Sequence, residues 1–260
     1  MNGFSLILPT IRAHRELDLC LKSIAQNSRL NNELIVIVDL EKKQKTNRPI
    51  LGILKKRKIK PILNETNLGP YRSWNKGAKK AKQKILCFIT DDQYFAPGWD
   101  EELLKYMKED FIISGQVVEP GVVLPSFPTL LKDFGDKANN FREKEFLNYV
   151  NKIKKNKLVD GIFFIPLAIY KKKFFELGTF PTKGKFGKKS TPNDVLFIKH
   201  AMKKGSKHKT SLASISYHFQ ACSWEKHREI KKILNYLKLF LKKDIIIQKR
   251  IDKMWGKRGR

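Results

Sequence analysis

Through the first hundred residues, apolar runs of strand length alternate with stretches whose apolar residues recur at helical spacing. Phe4–Pro9, apolar apart from Ser5, has the pattern of a strand buried on both faces. Leu17, Cys20, Leu21 and Ile24 then fall on one face of a helix spanning 15–26. A second buried strand, Glu33–Asp39, ends in a carboxylate, and a lysine-rich connection over 41–58 leads to a short third strand near 59–63. Asn67-Leu68-Gly69-Pro70 reads as a turn, with Pro70 placed to open a helix. That helix carries Tyr71, Trp74, Ala78 and Ala81 on one face and lysines on the other. A fourth strand covers 85–90, and Pro97-Gly98-Trp99 turns the chain into another helix. This order predicts a doubly wound, mostly parallel α/β sheet flanked by helices.

Beyond residue 110 the pattern is less regular. It predicts a strand at 111–114, a Pro/Gly-rich loop over 115–128, a helix at 141–155 and a strand at 161–165. A helix over 168–177 closed by Gly178 follows, then a loop at 183–190 whose two glycines and four lysines suit mobility. The helix at 191–204 has a clear start, with Thr191 as N-cap, Pro192 at the first position and Asp194 three after the cap. A short strand at 211–216 ends the domain, and 223–260 forms a basic helical tail.

With 260 residues and 41% hydrophobic content, the chain can build one α/β domain without disulfides. Cys20, Cys87 and Cys222 have neither metal-finger nor disulfide-framework spacing, which suits a reducing compartment. The stretch from Met1 to Pro9 lacks the features of a signal peptide, and no run reaches the ~18–20 apolar residues of a membrane span. The expectation is a cytoplasmic protein.

A net charge of +29 predicts an anionic partner or a solvated lysine surface. Lysines outnumber arginines 43 to 11 and are spread along the chain, so specific nucleic-acid recognition is not expected. The tail holds 13 basic and 4 acidic residues, with Ile230, Ile233, Leu234, Leu237 and Leu241 in an apolar stripe. That pattern fits a helix lying on the inner face of an anionic membrane, and equally one packed on the domain.

The main chemical signal is Thr90-Asp91-Asp92, two adjacent carboxylates at the end of a buried strand. Carboxyl ends of strands in open α/β sheets face the ligand crevice. There the pair suits a divalent metal on a diphosphate, and as a turn cap it would be purely structural. Asp39 ends a strand at the same edge, either as an acceptor for a base or as a turn residue. Arg72, in the first turn of its helix, pairs more readily with an anion than with the helix dipole. Asp194 can serve as a general base and as a helix cap at once. His218 offers imidazole to Mn²⁺ more than to Mg²⁺, or packs among its aromatic neighbours. The other histidines, His208 among them, read as surface residues.

Taken in order, these residues resemble the family 2 glycosyltransferases of the GT-A fold. The resemblance spans roughly residues 4 to 218. It rests on Ser5-Leu6-Ile7-Leu8-Pro9-Thr10, Asp39, Asn67 to Gly77, and Thr90-Asp91-Asp92 followed by Pro97-Gly98-Trp99. Gly161 to Ile165, Leu177-Gly178-Thr179-Phe180 (similar to a Leu-Gly-Gly-Phe segment) and Asn193-Asp194 complete it. The resemblance implies an inverting transferase moving one sugar from a nucleotide-diphosphate sugar to a hydroxyl of a glycan or lipid-linked acceptor, in surface glycan or polysaccharide assembly. It implies a domain over 1–222, with a nucleotide-binding half at 1–110 and an acceptor-binding half at 111–222. Pro9, Thr10, Arg12, Asp39, Asn67, Gly69, Arg72 and Asp91 would bind the donor, and Asp92 and His218 the divalent metal, Mn²⁺ or Mg²⁺. Asp194 would be the base, Trp99 and Gly161 would lie on the acceptor side, and the 183–190 loop would order over the donor.

The sequence departs from the family pattern in three places. Leu40-Glu41 follows Asp39 where a small acidic-serine turn is usual, and Asn193 stands where Glu is usual. Gln220-Ala221-Cys222-Ser223-Trp224 lacks the arginine of processive synthases. Asn193 leaves open a second reading, a nucleotide-sugar or glycan-binding protein that has lost catalysis.

Overall fold

The computed structural model describes residues 3–11, 14–40, 47–121, 129–161, 165–182 and 193–219. Arg12, the 183–190 loop, the cap at Thr191 and Pro192, and the tail lie outside the described residues.

The first half follows the expected winding. Strand β1 (Ser5–Thr10) leads to helix α1 (His14–Asn27), β2 (Glu33–Asp39), helix α2 (Arg48–Lys56) and β3 (Ile62–Asn64). Helix α3 (Pro70–Lys80) and β4 (Ile85–Phe88) complete it. Strand β1 lies parallel to both β2 and β4, and β2 is parallel to β3. Alternation along β1 sends Leu6 and Leu8 to one face, packed with Leu17, Cys20 and Leu21 of α1 and Ile50 and Leu54 of α2. Ile7 points to the other face, onto Trp74 and Ala78 of α3. Burying each such aliphatic side chain contributes about 1.5–3 kcal/mol. Helix α3 sits so close that a Cβ at Gly77 would lie 2.3 Å from Ile7 Cγ2, which explains a glycine inside a helix.

Helix α2 replaces part of the expected lysine-rich connection. Ile50 and Leu54, one turn apart, are buried, and Pro49 sits in the first turn. Four apolar residues suffice because they meet an existing core.

After β4 the chain forms β5 (Gln93–Phe95), helix α4 (Trp99–Leu104) and β6 (Phe111–Glu119). Strand β7 (Leu130–Leu131), helix α5 (Glu143–Ile153), β8 (Leu158–Asp160) and β9 (Leu167–Tyr170) follow. Helix α6 (Lys171–Glu176), helix α7 (Asn193–Lys203) and β10 (Lys207–His218) end the described chain. The ten strands of the described residues join one sheet, with the path β3-β2-β1-β4-β9-β6-β10-β5. The sheet is mixed and mostly parallel: β9 is antiparallel to both β4 and β6, whereas β6 and β10 run parallel.

Three expectations in this half change. Strand β6 continues through Gly115 to Glu119, where a loop was expected, because β10 and β7 pair with it over that stretch. Leu167–Tyr170 is a strand, and the helix starts only at Lys171; a short apolar run cannot be assigned by periodicity alone. Strand β10 has twelve residues, with a register shift between Ser211 and Ile215 that bends its second half onto β5.

Trp99, expected on the acceptor side, is packed in the core. It is 1% exposed, stacks on Phe95 at 4.2 Å between centroids and donates its indole N–H to Ser28. Its neighbour Asp100, fully buried, accepts from the Arg29 and Leu30 amides and the Asn32 side chain, fixing the α1–β2 turn against α4.

Candidate active site

Strands β1, β2, β4, β6 and β10 all point the same way, so Thr10, Asp39, Asp91-Asp92, Glu119 and His218 gather at one edge of the sheet. This is the carboxyl edge, where ligands of open α/β sheets bind.

Asp92 and His218 meet there. Asp92 Oδ2 lies 3.2 Å from His218 Nε2, and the Phe219 amide donates to the Asp92 carbonyl. The other ring nitrogen, Nδ1, lies 2.6 Å from Glu119 Oε1. Glu119 is fully buried, and its second oxygen accepts the Thr129 hydroxyl at 2.8 Å. Burial opposes a charge on His218, but Asp92 and Glu119 outweigh it and hold the imidazole well above its usual pKa. Burial also opposes the charge on Asp92, and the facing imidazolium reverses that, leaving its carboxyl below the ordinary value. Burial, then the adjacent Asp92, push Asp91 up to about 8. Two neighbouring carboxylates are thus split into an anion and an acid.

Gln93 fixes the turn that presents them. Its side-chain oxygen accepts the Thr90 amide and its Nε2 donates to the Ile165 carbonyl, tying the end of β4 to the approach to β9.

Asp39 is buried, with 4% exposure, and its carboxylate is already engaged. Oδ1 accepts from Asn64 Nδ2 and the Ser73 hydroxyl, each at 2.7 Å, and Oδ2 accepts the Gly69 amide at 2.8 Å. The left-handed Gly69 (φ 80°) and Pro70 then start α3 over this carboxylate. Asp39 therefore organises the β2–β3–α3 junction. Asn67, two residues before Gly69, and Pro9, next to Thr10 on β1, are partly exposed.

Asp194 stands in the first turn of α7, and its Oδ1 accepts the Tyr71 hydroxyl of α3 at 2.8 Å. Burial raises the pKa of Asp194, and the Tyr71 hydrogen bond pulls it the other way. Asn193, read as half of the base motif, is 2% exposed.

Arg72 is exposed and donates Nη2 to the Thr182 carbonyl, lining a cavity on the flank of α3 that contains none of the sheet-edge residues. Gly161 follows β8 with its N–H on the His208 carbonyl, and a Cβ there would lie 2.1 Å from the His208 ring. His208 is not a surface residue: it is 6% exposed, with Nε2 2.7 Å from Ser114 Oγ.

Glu119 and Tyr71 are the site residues that sequence reasoning missed. Glu119 carried the same signal as Asp39, an acid closing an apolar strand, but lay in the stretch read as loop. Tyr71 lay on the apolar face of its helix, and its partner is 123 residues away.

Among the described residues, no set of three or more His, Cys, Asp or Glu side chains converges on a metal position. Asp92 and His218 can supply two ligands, with Glu119 behind the imidazole in the orienting role common around metal-bound histidines. Such a two-residue donor set fits a metal whose remaining ligands come from substrate phosphates.

The winding, the carboxyl-edge acids and the antiparallel β9 insertion define a GT-A-type α/β fold. The Glycosyl transferase family 2 model matches residues 5–178, and the chain belongs to that family. An uncharacterized glycosyltransferase of Haemophilus influenzae is 30% identical over 106 residues, 41% of this chain and 35% of that protein. A crystal structure of GalNAc-T7 with UDP, GalNAc and Mn²⁺ shares the fold, with a TM-score of 0.56 at 14% identity. That likeness covers 84% of this chain and 44% of GalNAc-T7, so the chain spans less than half of either relative.

Proposed function

We propose that the chain is an inverting glycosyltransferase that moves one sugar from a nucleotide-diphosphate sugar to an acceptor hydroxyl. The observation that carries this reading is the Asp92–His218–Glu119 array at the carboxyl edge of a family 2 sheet.

Asp92 and His218 would hold a divalent ion, with Mn²⁺ favoured by the imidazole nitrogen. When bound, that ion neutralises charge on the departing nucleoside diphosphate. Pro9, Thr10, Asn67, Gly69 and Asp91 bind the donor around the β1 end and the α3 turn. The raised Asp91 can donate a hydrogen bond where an ionised neighbour would repel phosphate. Asp39 acts on the donor through the Gly69 turn that it fixes. Asp194 takes the proton of the attacking hydroxyl through its second oxygen while Tyr71 occupies the first. Attack from the face opposite the leaving group inverts the anomeric carbon.

The acceptor is a glycan or lipid-linked sugar, and the product belongs to surface glycan or polysaccharide assembly. The basic, amphipathic sequence at 223–260 supports a place on an anionic membrane face. No helix among the described residues is long and apolar enough to cross a membrane.

The test is a thermal-shift panel of UDP-, GDP-, dTDP- and CMP-sugars with and without Mn²⁺. One nucleotide class should stabilise the protein, more with Mn²⁺, and Asp92→Asn should abolish the metal-dependent part. Asp194→Asn should keep donor binding and lose turnover. Equal shifts in wild type and Asp92→Asn would remove Asp92 from the site. Donor binding by wild type without turnover in a broad acceptor screen would favour a binding protein.

A further inference from the structure

The outer flank of α3 carries a second concave site. Arg72, Asn75, Lys76 and Lys79 of that helix, with Thr179 and Thr182 opposite, line an open cavity of ≈ 310 Å³. That volume lies at the low end of small-molecule sites, roughly 300–1,000 Å³. It is too large to be accounted for by a single bare ion.

The charge of this cavity has one sign. Among the described residues three cations line it and no acid does. Among the described residues, Arg72 and Lys76 are held by neutral acceptors, which aim them without cancelling their charge. Arg72 Nη2 donates to the Thr182 carbonyl at 3.1 Å, and Lys76 Nζ donates to the Leu63 carbonyl and to the Asn64 side-chain oxygen. Asn75 clamps the opposite wall: its Nδ2 donates to the Phe180 carbonyl and its Oδ1 accepts the Phe180 amide. The cavity is therefore built between two segments bonded to each other.

Thr179 adds a separate observation. Its φ is 64°, in the left-handed region that glycine adopts freely and that costs other residues about 1–2 kcal/mol. A β-branched residue is an expensive choice there, and this one lines the cavity. Strain of this kind accumulates where a side chain has a task.

We infer that this cavity binds a phosphoryl group carried on a small molecule. A phosphate offers several acceptor oxygens in different directions, which suits two ammonium groups, a guanidinium and threonine hydroxyls. Arg72 follows Tyr71, whose hydroxyl holds Asp194, so the cavity and the proposed base hang on consecutive residues of α3. If the transferase reading holds, as this role requires, the phosphate belongs to the acceptor. Binding itself does not depend on that reading.

The experiment is calorimetric titration of the full chain with inorganic phosphate and with a hexose 1-phosphate at constant ionic strength. Lys76→Ala/Lys79→Ala should weaken hexose 1-phosphate binding at least ~10-fold. Lys55→Ala/Lys56→Ala, the same charge change at the exposed end of α2, should leave it unchanged. Thr179→Gly should raise the melting temperature while weakening binding, because it removes strain and hydroxyl together. Equal losses in the two lysine pairs would overturn the site in favour of general surface charge. Equal affinity for inorganic phosphate and hexose 1-phosphate would overturn the carried-phosphate assignment and leave a free-phosphate site. The Mn²⁺-dependent donor shift should persist in Lys76→Ala/Lys79→Ala, so failure of this inference and failure of the donor site give different patterns.

Discussion

Glu119 and His218 share a 2.6 Å hydrogen bond through Oε1 and Nδ1, and this leaves only Nε2 of the imidazole turned toward Asp92. The geometry fixes the ring and the nitrogen that a cation could use. A metal on Nε2 must displace its proton, so Mn²⁺ affinity should fall as pH drops below the raised pKa of His218. Glu119→Gln should weaken Mn²⁺ binding by about 10–100-fold, the range for lost partners of metal-bound histidines. Electron paramagnetic resonance titration of free Mn²⁺ measures this directly. Unchanged affinity would mean that the Glu119 carboxylate does not support His218 as a ligand, and unchanged affinity in His218→Ala would take His218 out of the ligand set.

Tyr71→Phe tests the assignment of the base. The Tyr71 hydroxyl donates to the ionised form of Asp194 and so lowers its pKa against the pull of burial. Without it, the pKa should rise and the acid limb of kcat/KM should move to higher pH. Activity should fall more at pH 6 than at pH 8. The lost bond to a charged acceptor is worth about 1.5–3 kcal/mol, so the loss at acid pH should be roughly tenfold or more. A uniform loss across pH would mean that Tyr71 acts only in packing.

Asp39 separates structure from donor binding. Removing its carboxylate strands the Gly69 amide and the Asn64 and Ser73 donors inside the protein. Unpaired buried polar groups cost about 1–3 kcal/mol each. Asp39→Ala should lower stability by at least ~3 kcal/mol on that basis, and Ser73→Ala by ~1 kcal/mol. Urea unfolding followed by circular dichroism reads both. Near-native stability in Asp39→Ala with loss of nucleotide binding would make Asp39 a direct donor contact.

Local patterns carried the sheet edge and missed what joins distant segments. Asp91-Asp92 and Asp39 were visible because an acid ending an apolar strand is unusual within a few residues of sequence. Their partners were not. Glu119 reaches His218 across 99 residues, and the strand that carries it is extended by pairing with β10 rather than by its own pattern. The resemblance put Trp99 on the acceptor side, yet the Phe95 stack and α1 enclose its indole. Strand β9 read as helix because four apolar residues fit either period, and only its place between β4 and β6 decides.

The contact between Gly161 and His208 shows how a residue read as acceptor-side can instead be held by packing. A Cβ at Gly161 would meet Nδ1, Cγ and Cε1 of His208 at 2.1–2.6 Å. The ring cannot swing away freely, because it is buried and its Nε2 is engaged with Ser114 at 2.7 Å. Gly161→Ala should therefore cost about 1–3 kcal/mol, as overpacked interiors do. The cost should depend on the imidazole, so in a His208→Ala background the same change should be nearly neutral. A double-mutant cycle on unfolding free energies should give a coupling of about 1 kcal/mol or more. Additive effects would mean that another neighbour excludes the methyl group. Loss of acceptor affinity in Gly161→Ala at full stability would return this glycine to the acceptor side.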